Sequence, residues 1–403
     1  MNAYAVIHPG LEDVVDAELS GLGVTGEVCP GGVRFSIEPA AVPALVRKLR
    51  TPSQVLVELA TGSARSAEGL ATVVRRVPWR DWLHPQAEVK VDVSSRGSAL
   101  RFKESVSRSV FGVIREARKG PFIPDRGSRP RFAQSVQVRI VEDAVTVSID
   151  AGGELLHRRG WRTEAGKAPI RENLAACLLA LAEWDGSDAL YDPFCGSGTL
   201  VIEGALLALG RSPFVNRGFA CEEWPLVAAA ARGGRGGPPA PAPRGKGTRP
   251  GGPPVRGAAA APLAVPAGIV RAGLGPRVAT AKAGINAPIL GSDHHAPTLL
   301  SAKDNARRAG VPVEFRLLEI ADIEPPSVVG TIVANLPYGE RLGERVEGVY
   351  GAFGHVLRER FASWRVVFLT TDRRLAERVD RRVERITQFK NGGIGVGVFS
   401  FLP

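Results

Sequence analysis

The sequence predicts an α/β chain: a mostly parallel sheet with an antiparallel edge hairpin in the C-terminal part, preceded by two smaller α+β units. Three observations carry this. From about residue 160, short apolar runs alternate with helical stretches, the rhythm of a parallel sheet covered on both faces. The preceding part is strand-rich, with single amphipathic helices between strands. The chain ends on VERITQFKNGGIGVGVFSF, in which Asn391-Gly392 is a strong signal for a hairpin turn.

The elements follow in order. AYAVIH reads as a strand and GLEDVVDAELSGLG as a helix ended by Gly21 and Gly23, with Leu11, Val14, Val15 and Leu19 on one face. VRFSI alternates as a strand does, which completes a unit over residues 1–52. In residues 53–155, QVLVELATG and AEVKVDVSS read as strands. SALRFKESVSRSVFGVIREARKG reads as a helix with Phe102, Val106, Val110 and Ile114 as its apolar stripe, and SVQVRIVEDAVTVSID as a hairpin turning at Glu142-Asp143. In residues 156–403 the expected strands are 189–194, 288–293, 313–319, 331–335 and 364–371. Residues 229–284, rich in Pro, Gly, Ala and Arg, interrupt this pattern. Their composition cannot bury a core and reads as a disordered insert, either a tolerated loop expansion or a loose RNA tether.

With 403 residues and 44% hydrophobic content, the chain can build two or three cores. No apolar run is long enough for a membrane span and no secretory signal is visible at the start, so no membrane partner is expected. Cys29, Cys177, Cys195 and Cys221 form no CxxC pair. That pattern argues against a zinc site and suits a reducing, cytoplasmic setting. A monomer is the expected state.

The net charge of +11 suggests a polyanionic partner. Much of it is local, because residues 224–292 hold nine Lys or Arg and no acid, and the remainder is 43 basic against 41 acidic. A second concentration is more telling: residues 96–131 carry ten basic side chains against Glu104, Glu116 and Asp125. Arg101, Lys103, Arg108 and Arg115 lie on the helix there and are the candidate contacts to RNA phosphates.

The chemistry gathers at strand ends. DPFCGSGTLVIEGALLAL places Asp192 at the end of one strand and passes through Gly196 and Gly198 into a helix. Glycines there let a ligand approach the backbone, and the helix N-terminus favours an anion such as a carboxylate. No GxxxxGK[ST] is present, which argues against a P-loop ATPase. Asp293 ends the next strand, where a carboxylate suits a pair of ribose hydroxyls. His294 and His295 beside it lack further ligands at metal spacing and read as solvated loop residues. Glu319 or Asp322 could accept from an adenine amino group, and Glu319 is the nearer to its strand end. In TIVANLPYGERL, an apolar strand runs into Asn335. Its amide oxygen and a nearby backbone carbonyl can together accept both hydrogens of an exocyclic amine, while Pro337 stiffens the turn and Tyr338 can stack on a base.

With DPFCGSGT and NLPYGERL both present, the chain resembles the THUMP-domain class I S-adenosylmethionine-dependent RNA methyltransferases that make N2-methylguanosine in large-subunit rRNA or tRNA. The resemblance also rests on GLEDVVDAELSGLG, GGVRFS and LHRRGWRTEAGKAPIRENLAA, and covers nearly everything outside residues 229–284. It implies a ferredoxin-like unit (1–52), a THUMP domain for RNA (53–155) and a Rossmann-like class I methyltransferase domain (156–403). It implies cofactor contacts at Asp192, Gly196, Gly198, Asp293 and Glu319, a guanine held by Asn335 and Tyr338, and residues 168–172 near the cofactor. Most such relatives carry Asn-Pro-Pro-Tyr, and here Leu336 replaces the first proline. Related adenine-N6 enzymes use Asn-Leu-Pro-Tyr, so the residues leave adenine N6 open beside guanine N2. A catalytically silent RNA-binding factor is the reading from a different class.

Overall fold

A computed structural model describes residues 1–119, 131–162, 170–233, 285, 287–338, 345–391 and 393–403. Residues 234–284 of the expected insert lie outside this set, as do 168–169 and Gly392. Residues 229–233, also assigned to the insert, belong to the helix Pro225–Gly233.

Two seven-stranded sheets form the frame. The first contains β1 (Asn2–Val6), β2 (Gly26–Cys29), β3 (Gly32–Ser36), β4 (Gln54–Ser63), β5 (Val89–Arg96), β6 (Gln134–Val141) and β7 (Ala144–Asp150) in the order β2-β3-β1-β4-β7-β6-β5. Its strands alternate as half-buried strands do, with Ala3 and Ala5 of β1 against the core. The sheet runs unbroken across the expected boundary at residue 52, because β1 pairs antiparallel with β4 through Ala3 to Val57 and Val6 to Gln54. The turn between β6 and β7 falls at Glu142 and Asp143, both at positive φ (50° and 65°), the conformation of a tight primed hairpin turn.

Helix Glu12–Gly21 buries Val14, Val15 and Leu19 as its periodicity predicts. Helix Lys103–Arg118 buries Val106, Val110 and Ile114. Phe102 departs from the expected stripe and is 65% exposed. It sits before the first helical turn with extended backbone (φ −87°, ψ 95°), so its side chain leaves the helical face, and the Arg101 guanidinium lies 5.2 Å from its ring.

The second sheet contains β8 (Ala189–Asp192), β9 (Ile289–Asp293), β10 (Glu314–Leu317), β11 (Gly330–Asn335), β12 (Trp364–Thr370), β13 (Glu384–Asn391) and β14 (Ile394–Phe401). The order is β10-β9-β8-β11-β12-β14-β13. The first five are parallel, and β14 runs antiparallel to both β12 and β13, as the terminal hairpin signal predicts. β8, β11 and β12 are buried almost throughout because both faces are covered, while the edge strand β10 has no buried residue.

Buried polar contacts fix the end of the first unit and tie it to the second half. Glu18, 2% exposed, accepts from the Arg50 and Thr51 amides at 2.7 and 3.0 Å. Burial pushes its carboxyl pKa up, and the bonds from Thr51 and Arg50 oppose that. Arg159 is fully buried, donates Nε to Glu203 Oε1 at 3.1 Å and gives Nη1 to the Leu156 carbonyl at 3.0 Å. Its Nη2 reaches the Arg50 carbonyl. Glu203 belongs to helix Thr199–Ala208, so the N-terminal half is tied to the helix that follows the glycine loop. At the far edge, Thr387 Oγ1 donates to the Gly10 carbonyl at 2.7 Å, and His8 stacks on Phe389 with ring centroids 6.1 Å apart.

Candidate active site

From β8 the chain builds outward to β9 and β10, then crosses to the opposite side of β8 to lay down β11 and β12. The strand order therefore reverses between β8 and β11, and the crevice at their C-terminal ends is where such sheets bind ligands. Asp192 ends β8 and Asn335 ends β11. Ile332 pairs with Tyr191, so Asn335 extends past the last residue of β8.

The glycine loop is held by backbone bonds. The Cys195 amide donates to the Ser292 carbonyl at 2.9 Å and the Gly198 amide to the Cys195 carbonyl at 2.8 Å. Asn305 Nδ2 donates to the Ser197 carbonyl at 3.1 Å. Gly196 and Gly198 both have positive φ, 51° and 82°. A Cβ on Gly196 would meet only Thr298 Cγ2, at 3.9 Å, so space is open over that residue. One on Gly198 would press on Phe315 and Ala302 at 3.1–3.2 Å. The two glycines thus do different work: Gly196 faces free space and Gly198 allows the loop to pack.

Asp293 already serves the loop. Its Oδ2 accepts from the Gly196 amide at 3.0 Å and its Oδ1 from the His295 amide at 2.9 Å. Each carboxylate oxygen has a second lone pair, which leaves room for a hydroxyl donor. Asp192 is 2% exposed and accepts from the Phe194 amide at 3.0 Å. Burial pushes its carboxyl pKa well above the usual range, the Phe194 bond opposes this, and the neighbouring Asp293 pushes the same way. Among the described residues Asp192 has no ion-pair partner. Two adjacent carboxylates, and a buried Ser197 hydroxyl without a described hydrogen-bond partner, fit a ligand that brings positive charge and further donors.

The Asn-Leu-Pro-Tyr turn is braced from three sides. Leu336 is fully buried in the cluster with Ile323 and Phe353, and its amide donates to the Leu369 carbonyl of β12 at 3.2 Å. A proline there would have no N–H for that bond. The Pro337 carbonyl accepts from Tyr350 Oη at 3.1 Å, and Tyr350 Oη lies 2.7 Å from Thr370 Oγ1. Tyr350 has one hydroxyl proton and gives it to Pro337, so Thr370 donates to Tyr350. Burial pushes the Tyr350 hydroxyl up to about 12, which keeps that proton in place. Tyr338 is half-buried, and its hydroxyl accepts from Asn391 Nδ2 at 3.2 Å. With the turn fixed, Asn335 Oδ1 is buried and has no hydrogen-bond partner among the described residues. A buried amide oxygen left unpaired costs about 1–3 kcal/mol, a cost a bound donor would remove.

Other candidates lie further out. Glu319 and Asp322 are both exposed, at the start and end of the 3-10 turn after β10. The Leu318 amide ties that segment to the Asp293 carbonyl at 3.2 Å. His295 Nδ1 lies 2.6 Å from Thr298 Oγ1 beside a helix start, and no metal-holding cluster exists among the described residues. Arg101, Lys103, Arg108 and Arg115 are all exposed, with no ion pair among the described residues. Arg118, on the same helix, is structural: its Nη2 donates to the His84 and Ala87 carbonyls at 2.8 and 3.0 Å. Tyr350, Thr370 and Asn391 support the site without belonging to any motif. Only Asn391 carries a sequence signal, as a turn residue, and its amide does a second job.

Comparison with known proteins adds the following. A family model described as the RMKL-like methyltransferase domain matches residues 159–398, and one described as the RlmL ferredoxin-like domain matches residues 2–56. The chain is 27% identical to slr0064 of Synechocystis sp., over 97% of this chain and 94% of that one. It is 31% identical to the ribosomal RNA large subunit methyltransferase K/L of Methylococcus capsulatus, over 99% of this chain. It spans about half the length of that relative, 50%. Among solved structures it is similar to SMU.472, determined in complex with SAH, with a TM-score of 0.77, 26% identity, and coverage of 99% of this chain and 97% of that one.

Proposed function

The chain belongs to the family of RMKL-like methyltransferases, and from that premise we propose that it transfers a methyl group to the exocyclic N2 of a guanine in structured RNA, rRNA or tRNA. The observation that carries the reading is the buried, unpartnered Asn335 Oδ1 at the strand-order reversal, on a turn that Leu336, Tyr350 and Thr370 hold still. The RNA assignment takes support from the printed name of the K/L relatives and from the exposed cations of helix Lys103–Arg118. Residues 1–52 would act as the ferredoxin-like unit, 53–155 as the THUMP unit that grips RNA, and 156–403 as the catalytic domain.

The cofactor is S-adenosylmethionine, in keeping with the SAH bound to SMU.472. The 192–198 loop, Asp192 and Asp293 would hold it, and Glu319 would reach its adenine. Bound there, it supplies a methyl group already activated by a sulfonium, so the reaction calls for neither a metal nor a covalent nucleophile. The rest is positioning. Asn335 Oδ1 would accept one hydrogen of the target amine. The second acceptor would be the Leu336 carbonyl. The two acceptors aim the nitrogen lone pair and strengthen their hold as positive charge grows on that nitrogen. Tyr338, anchored by Asn391, would stack on the base.

Product analysis tests this. Purified protein, labelled S-adenosylmethionine and total rRNA or tRNA are expected to yield N2-methylguanosine on digestion. N6-methyladenosine would keep the role of Asn335 and overturn the guanine assignment. Cofactor binding without transfer to any RNA would leave a silent RNA-binding factor.

Two variants probe the binding steps. Gly196→Val fills the open space over the loop, so S-adenosylmethionine binding is lost in isothermal titration. Its strain at positive φ costs stability only about 1–3 kcal/mol. Wild-type affinity would remove Gly196 from the cofactor site. Neutralising Arg101, Lys103, Arg108 and Arg115 together weakens RNA binding and flattens its salt dependence, by about 0.7–0.9 in log–log slope for each phosphate no longer engaged. An unchanged slope would move the RNA path off this helix.

A further inference from the structure

The edge hairpin β13–β14 carries a groove that the catalytic reading leaves unused. It is open, with a volume of about 520 Å³, and lies between Pro9 of the N-terminal half, Thr371 just past β12, and the hairpin itself. The register explains its shape. Lys390 pairs with Gly395 and Gln388 with Gly397, so each long polar side chain stands opposite bare backbone. A Cβ on Gly395 would meet nothing within 4 Å, whereas one on Gly397 would press on the Phe399 ring at 2.7–3.0 Å and lie 3.4 Å from Arg385 Cδ, so that glycine makes room for the ring with Arg385 beside it.

The groove is cationic. Arg385 and Lys390 are exposed and have no ion-pair partner among the described residues. Arg373, the third cation, is paired with Glu377 at 2.8 Å, and the carboxylate of the nearby Asp372 accepts from the Arg374 amide at 2.9 Å. The position is also informative. Thr371 lies two residues beyond Leu369, the register partner of Asn335, which is about 7 Å along the strand. Asn391, next to Lys390, holds the Tyr338 hydroxyl. The groove therefore opens at the same end of the sheet as the candidate base pocket, on the side where the N-terminal half docks through Gly10.

We propose that this groove holds the sugar-phosphate backbone of the RNA strand flanking the target nucleotide, with Arg385 and Lys390 as its phosphate contacts. The inference rests on the RNA reading given above. Two unpaired cations beside a trough that Gly395 and Gly397 keep open, with Val396 and Phe399 in its lining, suit a backbone read by charge and not by sequence, and such contacts fix register beside a base pocket.

Fluorescence anisotropy with a fluorescein-labelled RNA hairpin carrying guanines in its loop, across a salt series, tests it. The double variant Arg385→Gln, Lys390→Gln is expected to bind more weakly, with a log–log salt slope reduced by about 1.4–1.8. Its S-adenosylmethionine affinity and melting temperature should stay at wild-type values. Gly395→Asp is expected to weaken binding more than Gly395→Asn, which has the same bulk without the charge. An unchanged slope, equal losses in Asp and Asn, or a fall in melting temperature that places the two cations in the fold would each overturn the groove assignment. Wild-type protein that binds S-adenosylmethionine but not the hairpin would instead overturn the RNA reading itself.

Discussion

In Asn335→Ala, methyl transfer falls by about two to three orders of magnitude, the effect of losing one transition-state hydrogen bond worth about 3–4 kcal/mol. Cofactor affinity holds, because the glycine loop is fixed by its own bonds to Ser292, Asp293 and Asn305. The turn also stays in place, since Leu336 and Pro337 are held by Leu369 and Tyr350 and not by the Asn335 side chain. KM for RNA barely moves, because phosphate contacts supply most of the binding. Asn335→Asp keeps an acceptor oxygen and retains part of the activity. Single-turnover transfer from labelled S-adenosylmethionine reads all of this, and near-wild-type turnover in Asn335→Ala would remove the residue from the mechanism.

The second large effect is on stability. Arg159→Leu leaves Glu203, whose side chain is 0% exposed, with only Arg50 Nη1 at 3.9 Å. Removing one partner of a buried ion pair costs about 3–5 kcal/mol, because the survivor stays buried and charged. A melting-temperature drop on the order of 10 °C is expected for a domain of this size. Arg159→Met with Glu203→Leu, which removes both charges, should recover most of that loss. A cost under about 1 kcal/mol in Arg159→Leu, by urea or thermal unfolding, would show that the pair contributes little.

Periodicity and turn chemistry make the frame legible. The alternating strands, the Val106–Val110–Ile114 stripe and the Glu142-Asp143 turn are local, and local patterns are visible in one chain. Phe102 escapes the pattern because a stripe does not mark where the helix begins, and one residue outside the first turn changes its direction. At the site, strand ends can be read but not what else their side chains touch. The strand end makes Asp293 a candidate for a ribose contact, and the structure shows it gripping the Gly196 and His295 amides. Leu336 looks like a departure from the motif. Only the packing of β11 against β12 reveals that its amide and its side chain are both employed. Tyr350 and Thr370 brace the turn from far along the chain, at separations that no motif spans.

The unbroken first sheet bears on how this protein can be taken apart. A fragment starting at residue 53 would strip β1 from β4 and open the hydrogen-bonding edge of Gln54–Val57, the start of that strand, to solvent. Unguarded strand edges can recruit other strands and aggregate. The same cut would remove Arg50 from its contacts with Arg159 and Glu203. The first 52 residues therefore guard the start of that edge, and shuffling them between relatives would require the β1–β4 seam to travel with them.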